Sequence, residues 1–195
     1  QPSGDPVTRN HIARLNASGS IDEAFDPNAS ASVMVLAIQR DGRILMAGFF
    51  NTVAPNGADP AVSRSGMARL LIDGSLDTAF NPRPTGTVTA MAVQQNGGIL
   101  VGGLFSNIAG TTRSYMARLD SDGLIDGLFD SGVNYVVNAI APQADGKIVI
   151  GGNFSQLRTA SGLAAQRNHL ARLEIDGGPD VNFDPNISGR ISVMV

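Results

Sequence analysis

The sequence predicts an all-β fold, namely a β-propeller or partial propeller of about three and a half four-stranded blades. The main observation is a sixteen-residue phrase that occurs four times, at 10–25, 65–80, 114–129 and 168–183. Successive copies begin 55, 49 and 54 residues apart, which is close to the length of a propeller blade. Composition agrees, because 23 glycines and 10 prolines describe a chain that turns often.

Each unit is predicted to begin with two apolar strands that form a hairpin. The first strands are expected at 33–39, 88–94 and 136–143, and the second strands at 44–50, 99–105 and 148–154. Apolar residues at consecutive positions indicate sheets that are buried on both faces. The turns contain Asp-Gly or Asn-Gly, which favours type I′ turns with positive φ at both central positions. These dipeptides are Asp41-Gly42, Asn96-Gly97 and Asp145-Gly146.

The repeated phrase supplies the third and fourth strands. The third strand carries Ala-Arg-Leu and ends at a glycine turn, and the short fourth strand leads to a phenylalanine. A proline usually follows this phenylalanine, and because proline cannot donate a ladder hydrogen bond, the fourth strand is predicted to lie at the outer edge. The third copy departs from the pattern, because Ser131 replaces the proline.

Length varies only between the second strand and the next repeated phrase. Loops tolerate insertions, whereas a one-residue slip in a paired strand turns every side chain to the other face. Function is therefore expected in the variable loops at 51–66, 106–115 and 155–169. The chain is expected to be one repeat domain over 1–195, with units near 1–31, 32–86, 87–135, 136–189 and 190–195.

These phrases resemble the delta-60 repeat, a bacterial β-propeller-like repeat built on DGKILVGGxF, ARLxxDGSLDxxF and a following proline. The chain carries ADGKIVIGGNF at 144–154, RDGRILMAGFF at 40–50 and NGGILVGGLF at 96–105, together with four Ala-Arg-Leu segments. The resemblance implies a repeat of large bacterial surface or secreted proteins. It implies no catalytic residues.

Every copy also has an arginine in the third strand and an aspartate eight residues later. Repetition favours a structural ion pair, within a blade or to its neighbour, over a ring of ligand-binding arginines. The predicted structural residues are Arg14, Arg69, Arg118 and Arg172, with Asp22, Asp77, Asp126 and Asp180, and with Phe25, Phe80, Phe129 and Phe183.

A second arginine series, represented by Arg9, ends the variable loops. Its members are expected to donate hydrogen bonds to loop carbonyls, although their position in the loops is also compatible with partner binding. His11 and His169 occupy matching positions about three blades apart, which disfavours a shared zinc site. The residues predicted to contact a partner are Arg64, Arg113, Tyr115, Arg158, Arg167 and His169.

No catalytic, cofactor or metal site is predicted. The chain has no cysteine, and its Asp-Pro-Asn segments lack the alternating acids of a calcium loop. The net charge is −3 and Lys147 is the only lysine, which disfavours nucleic acid as a partner. No apolar stretch approaches the roughly 20 residues that span a bilayer.

We therefore expect a non-enzymatic structural or binding module of a bacterial cell-surface or secreted protein. Its variable loops would contact a glycan, protein or matrix partner. About three and a half blades would leave sheet edges open, so the chain is either a fragment of a longer propeller or a subunit that self-assembles into a multi-chain ring or filament. A hydrolase or lyase that uses a propeller face is the remaining alternative.

Overall fold

Three antiparallel sheets of three strands form the complete units in a computed structural model, which describes residues 7–158 and 162–194. In each sheet the second strand lies between the first and the third. The prediction of an all-β chain with three hairpins is confirmed. The sheets contain β1 (Val33–Ile38), β2 (Ile44–Gly48) and β5 (Met67–Leu70); β6 (Thr87–Val93), β7 (Ile99–Leu104) and β10 (Met116–Leu119); and β11 (Val137–Pro142), β12 (Ile148–Gly152) and β15 (Leu170–Leu173).

The variable loops contain short hairpins that the sequence analysis did not predict. One apolar residue in each hairpin, Val53, Ile108 or Leu157, is completely buried. The base of each loop is therefore fixed in the core, and differences in length fall at the tip. The hairpins pair β3 (Thr52–Val53) with β4 (Val62–Ser63), β8 (Asn107–Ile108) with β9 (Thr111–Thr112), and β13 (Gln156–Arg158) with β14 (Ala164–Gln166).

The prediction of type I′ turns between first and second strands is wrong. In the hairpin turn of the first unit, Gly42 has a positive φ, of 83°, whereas Asp41 does not. The Gly42 N–H donates to the Gln39 carbonyl at 2.9 Å, and the Asp41 carboxylate accepts from the Arg43 N–H at 3.0 Å. Asn96 and Asp145 make the same side-chain bond. The side chain thus stabilises the turn by hydrogen bonding, without left-handed backbone at its own position.

The fourth strand of each unit is reduced to a single bridge, such as Leu70 to Leu76. Beyond the bridge, the Asp77 carboxylate accepts a hydrogen bond from the Ala79 N–H at 3.1 Å. This bond turns the chain away from the sheet and directs Phe80 into the core, where it is completely buried.

The core lies between neighbouring units, as expected when propeller blades stack face to face. One cluster joins segment 10–25 to the first sheet through Phe25, Met46 and Leu70. The other two clusters join the first sheet to the second and the second to the third, and each contains the phenylalanine of a repeated phrase. Burying each such phenylalanine contributes about 1.5–3 kcal/mol, so the contacts between units carry much of the stability.

Candidate functional site

The recurrent arginine of the third strand joins one unit to the next. Arg69 Nε donates to Asp77 Oδ2 at 2.9 Å, and Arg69 Nη1 donates to the Ser121 carbonyl in the turn of the following unit. The guanidinium lies 4.5 Å from the centre of the Phe80 ring. That ring packs against Gly123 of the following unit, where an added Cβ would lie 2.8 Å from it. We call this arrangement of arginine, aspartate, phenylalanine and neighbouring turn the blade clasp.

The ion pair and ring contact of the blade clasp are present in all four copies. Arg14 and Arg118 also donate to the following turn, at Ile72 and Ile175. In the fourth copy no described residue supplies such a turn, and Phe183 is partly exposed, whereas the other three rings are buried. The arginine-to-carboxylate distances are 2.8 or 2.9 Å for Arg14–Asp22, Arg69–Asp77, Arg118–Asp126 and Arg172–Asp180. The arginine-to-ring distances run from 4.3 to 4.7 Å.

Two of the clasp arginines, Arg69 and Arg118, lower the pKa of their partner carboxylates. Burial raises the pKa of Asp77, but the hydrogen bond and the charge of Arg69 outweigh it and leave the pKa below its ordinary value. Asp126 shows the same balance, with the Leu128 N–H and Arg118 as the opposing groups. These carboxylates are charged at neutral pH.

Stability at low pH is expected to depend on Asp180. The hydrogen bond from Lys147 Nζ, at 2.7 Å, lowers the pKa of Asp180 to about 2, and the Asn182 N–H and Arg172 act in the same direction. The ordinary pKa of an aspartate is about 3.9, so the stabilisation is complete above that pH and is lost as the pH falls towards about 2. Thermal unfolding of Asp180→Asn should depend less on pH over this range than that of the wild type; parallel curves would contradict this assignment.

Two predicted partner-binding residues, Arg64 and Arg167, lie in the interior. Arg64 is 4% exposed, and its Nη2 donates to the carbonyls of Asp77 and Thr78 at 3.4 and 3.2 Å. Arg167 is 8% exposed and makes the matching bonds, at 3.2 and 3.3 Å, to the carbonyls of Asp180 and Val181. These bonds tie the end of a variable loop to the segment that carries the clasp aspartate.

Tyr115 and His169 occupy one equivalent position with left-handed backbone. Their φ values are 66° and 63°, and Gly66 has 67° at the matching place. In each unit this residue exchanges backbone hydrogen bonds with the end of the second strand, as in the 3.0 Å bond from Gly103 N–H to the Tyr115 carbonyl. Non-glycine residues rarely adopt this conformation, so its recurrence shows that the strand junction requires it. His169 Nδ1 lies 3.1 Å from the Gly152 carbonyl oxygen.

A cleft of about 640 Å³ brings together three of the six predicted residues, Arg113, Tyr115 and Arg158. It lies where the second complete unit meets the third. Asp130 and Asp176 also line it. A volume of a few hundred cubic ångströms is typical of small-molecule sites. Arg64, Arg167 and His169 do not line this cleft.

The cleft lining lacks a pair of asparagine side chains that the first and fourth copies carry at the matching positions. In the first copy Asn10 Nδ2 donates to Asn28 Oδ1 at 2.7 Å, and Asn168 and Asn186 form the same pair in the fourth. At the matching positions of the third copy stand Ser114 and Gly132, and both line the cleft.

Arg158 completes this departure from the repeat. It stands where the first unit has Ala54 and the second has Ala109. An added Cβ on Gly132 would lie 2.5 Å from the Arg158 Cβ, so the close approach of these two positions requires glycine at 132. The Arg158 side chain therefore adds to the cleft a group that the matching alanines of the other two units do not supply.

Sequence analysis did not identify Asp130, Asp176 or Tyr135. The Asp130 N–H donates to the Asp176 carbonyl at 3.1 Å, which joins the two units behind the cleft. The Tyr135 ring lies against the Tyr115 ring, with centroids 5.6 Å apart, and these are the only two tyrosines of the chain. The sequence feature that could have pointed to these residues was the break in the repeat at Ser131, beside Gly132.

Across residues 7–158 and 162–194, no group of three or more histidine, aspartate or glutamate side chains could hold a metal ion. The described part of the chain likewise has no helix that is long and apolar enough to cross a membrane.

Comparison with known proteins places the repeat in a family. The chain matches a family described as a domain of unknown function (DUF5122) beta-propeller, over residues 3–25, 39–80, 94–129 and 143–183. No protein with a curated description matches the chain. Each matched segment ends at the phenylalanine of a blade clasp, and this family is of the delta-60 repeat type, so the resemblance and the propeller fold class are confirmed. Because the four segments cover more than half of its residues, the chain belongs to the DUF5122 β-propeller family.

Proposed function

We propose that the protein is a non-enzymatic binding module of a bacterial cell-surface or secreted protein, in which propeller units present variable loops to a glycan, protein or matrix partner. The observation that carries this proposal is the cleft at the junction of the second and third units. Two variable loops contribute Arg113, Tyr115 and Arg158 to it. Ser114 and Gly132 also line it, at positions where the first and fourth copies carry an asparagine pair.

The cleft side chains are positioned before any partner arrives. Tyr115 is fixed by its left-handed backbone and by the Tyr135 ring. Leu157, beside Arg158, is completely buried and fixes the base of the loop hairpin. The exposed Arg158 guanidinium forms no hydrogen bond or ion pair with a described residue, so its donors are available. Groups that are already positioned bind a partner with a smaller loss of entropy.

The recurrent polar groups support a role without catalysis. The arginine and aspartate of every blade clasp bind each other, and three of the four arginines bind the following turn. Arg64 and Arg167 bind backbone carbonyls in the interior. Structural bonds therefore occupy the clasp arginines and aspartates and the two interior arginines, which supports a structural role for these repeated groups.

Arrays of printed glycans and of matrix proteins such as collagen and fibronectin test the proposal. We expect binding to at least one class, and a loss of that binding in Arg158→Ala. The matched control is Arg40→Ala, which removes an exposed arginine from a hairpin turn outside the cleft. Binding that survives Arg158→Ala and Tyr115→Gly, or the absence of binding to both arrays, would contradict the proposal.

Self-assembly is a second candidate, and the first strand of the first sheet supports it. Met34, Leu36 and Ile38 on β1 are 54%, 51% and 70% exposed. The residue of β6 that matches Leu36 is Met91, which is 8% exposed and packs in the cluster between the first two sheets. A second copy that supplies a repeat unit would cover β1 in the same manner.

Sedimentation velocity over a range of concentrations tests this candidate. We expect association that Leu36→Lys abolishes. Leu124→Lys is the control, because Leu124 is 66% exposed in a turn away from β1. A monomer at every concentration, or equal effects of the two substitutions, would exclude assembly through β1.

A further inference from the structure

The chemistry of the cleft assigns it a more definite ligand than the repeat fold alone suggests. We infer that the cleft binds a neutral sugar residue of a glycan. This inference rests on the proposed binding function and names the chemical class of the partner. It is carried by the balance of charge, the free hydrogen-bonding atoms and the paired aromatic rings at the cleft.

Formal charge is balanced on the cleft lining. Arg113 and Arg158 contribute two positive charges, and Asp130 and Asp176 contribute two negative charges. A phosphate or another compact anion would gain from the arginines and be repelled by the aspartates at close range. A neutral ligand is not repelled by the aspartates, and it can form hydrogen bonds with both the arginines and the aspartates.

Each cleft carboxylate has one engaged oxygen and one free oxygen. Asp130 Oδ1 accepts from the Gly132 N–H at 3.1 Å, and Asp176 Oδ1 accepts from the Gly178 N–H at 2.9 Å. Within residues 7–158 and 162–194 the Oδ2 atoms accept no hydrogen bond, and Arg158 donates none. A ligand for these atoms must donate to the carboxylates and accept from the guanidinium. Sugar hydroxyl groups do both, because each is a donor and an acceptor.

Aromatic surface supplies the apolar part of the site. The Tyr115 ring lines the cleft, and the Tyr135 ring, in a side chain that is 47% exposed, lies against it. Leu128, at the cleft edge, is 87% exposed. Tyrosine offers a flat apolar ring with one polar tip, which suits a ligand with an apolar C–H face and a polar rim. A pyranose ring has both features.

Tyrosine fluorescence provides a direct test. The chain has no tryptophan, and its two tyrosines adjoin each other at the cleft, so the signal reports on this site. We titrate the full chain with maltotetraose, cellotetraose, laminaritetraose and mannotetraose, and separately with trigalacturonate and inorganic phosphate. At least one neutral tetrasaccharide should give a saturable change below about 10 mM, with the acidic probes at least tenfold weaker.

Variants taken from the other copies keep the fold while removing the site. Tyr115→Gly introduces the residue that Gly66 already provides at the same φ, and calorimetry should show binding weakened at least about tenfold. Arg158→Ala should weaken binding to a similar extent, because it removes the guanidinium donors from the cleft. The fold should tolerate this change, because alanine is the residue at 54 and 109. Arg40→Ala should leave binding unchanged.

The outcomes separate this inference from the proposed function. No saturable response to any neutral probe, or a neutral response that survives both cleft variants, overturns the sugar assignment. Tighter binding of trigalacturonate or phosphate than of every neutral probe also overturns it. If neutral probes fail but an array partner still depends on Arg158, the binding function stands and only the ligand class is wrong.

Discussion

Replacement of Arg69 by alanine is expected to lower the free energy of unfolding by about 3 kcal/mol, the magnitude seen when one partner of a buried ion pair is removed. Arg69 is 2% exposed. Its loss leaves the Asp77 carboxylate without its 2.8 Å ion pair and the Ser121 carbonyl without a donor. It also removes the cation from the face of Phe80. Urea unfolding followed by circular dichroism measures the change.

The matched substitution is Arg172→Ala in the fourth copy. Arg172 makes the same ion pair, but no described residue supplies a following turn for it, and Asp180 keeps its bond to Lys147. A loss of about 1 kcal/mol or less is expected, as for pairs that solvent partly screens. Equal losses at Arg69 and Arg172 would show that the contact with the following unit adds nothing.

Replacement of Phe80 by alanine should lower the free energy of unfolding by about 4 kcal/mol, as for other fully buried phenylalanines. The ring is completely buried between the Arg69 guanidinium and Gly123 of the following unit. Its removal would leave a cavity at the junction of two sheets, where neither backbone can move inward without disturbing the strand pairing.

Phe183→Ala is the corresponding control. Phe183 lies 4.7 Å from Arg172 in the same arrangement but is partly exposed. The loss should be less than half of that for Phe80→Ala, because exposed apolar surface contributes little when it is removed. Comparable losses would mean that the rings act within their own units, and that the blade clasp does not join neighbours.

The strands of each unit were predictable because apolar residues recur at fixed spacing. The turn type was not, because Asp41 uses its side chain to bond the Arg43 N–H, and sequence alone does not distinguish this from a left-handed backbone. The fourth strand was predicted too long, because the hydrogen bond from Ala79 to Asp77 ends it after one bridge.

Half of the predicted partner-binding residues meet in one cleft, and the others do not. Arg113, Tyr115 and Arg158 were found because they lie on variable loops. The lining at Ser114 and Gly132 departs from the asparagine pairs of the first and fourth copies, and only a comparison between copies reveals this difference. Asp130 and Asp176 look like ordinary turn residues, and their role requires knowledge of which units adjoin.

Constant positions hold the propeller units together, and we propose that the departures at 114 and 158 serve binding. Urea unfolding of the double variant Ser114→Asn/Arg158→Ala tests this most directly. It gives positions 114 and 158 the residues that Asn10 and Ala54 provide in the first copy, and Gly132 is kept because an added Cβ there would lie 2.5 Å from the Cβ of residue 158, which alanine retains. The free energy of unfolding should stay within about 1 kcal/mol of the wild type, the range of well-tolerated substitutions. A loss of about 3 kcal/mol or more would show that these departures serve packing, and would contradict a cleft shaped for a ligand.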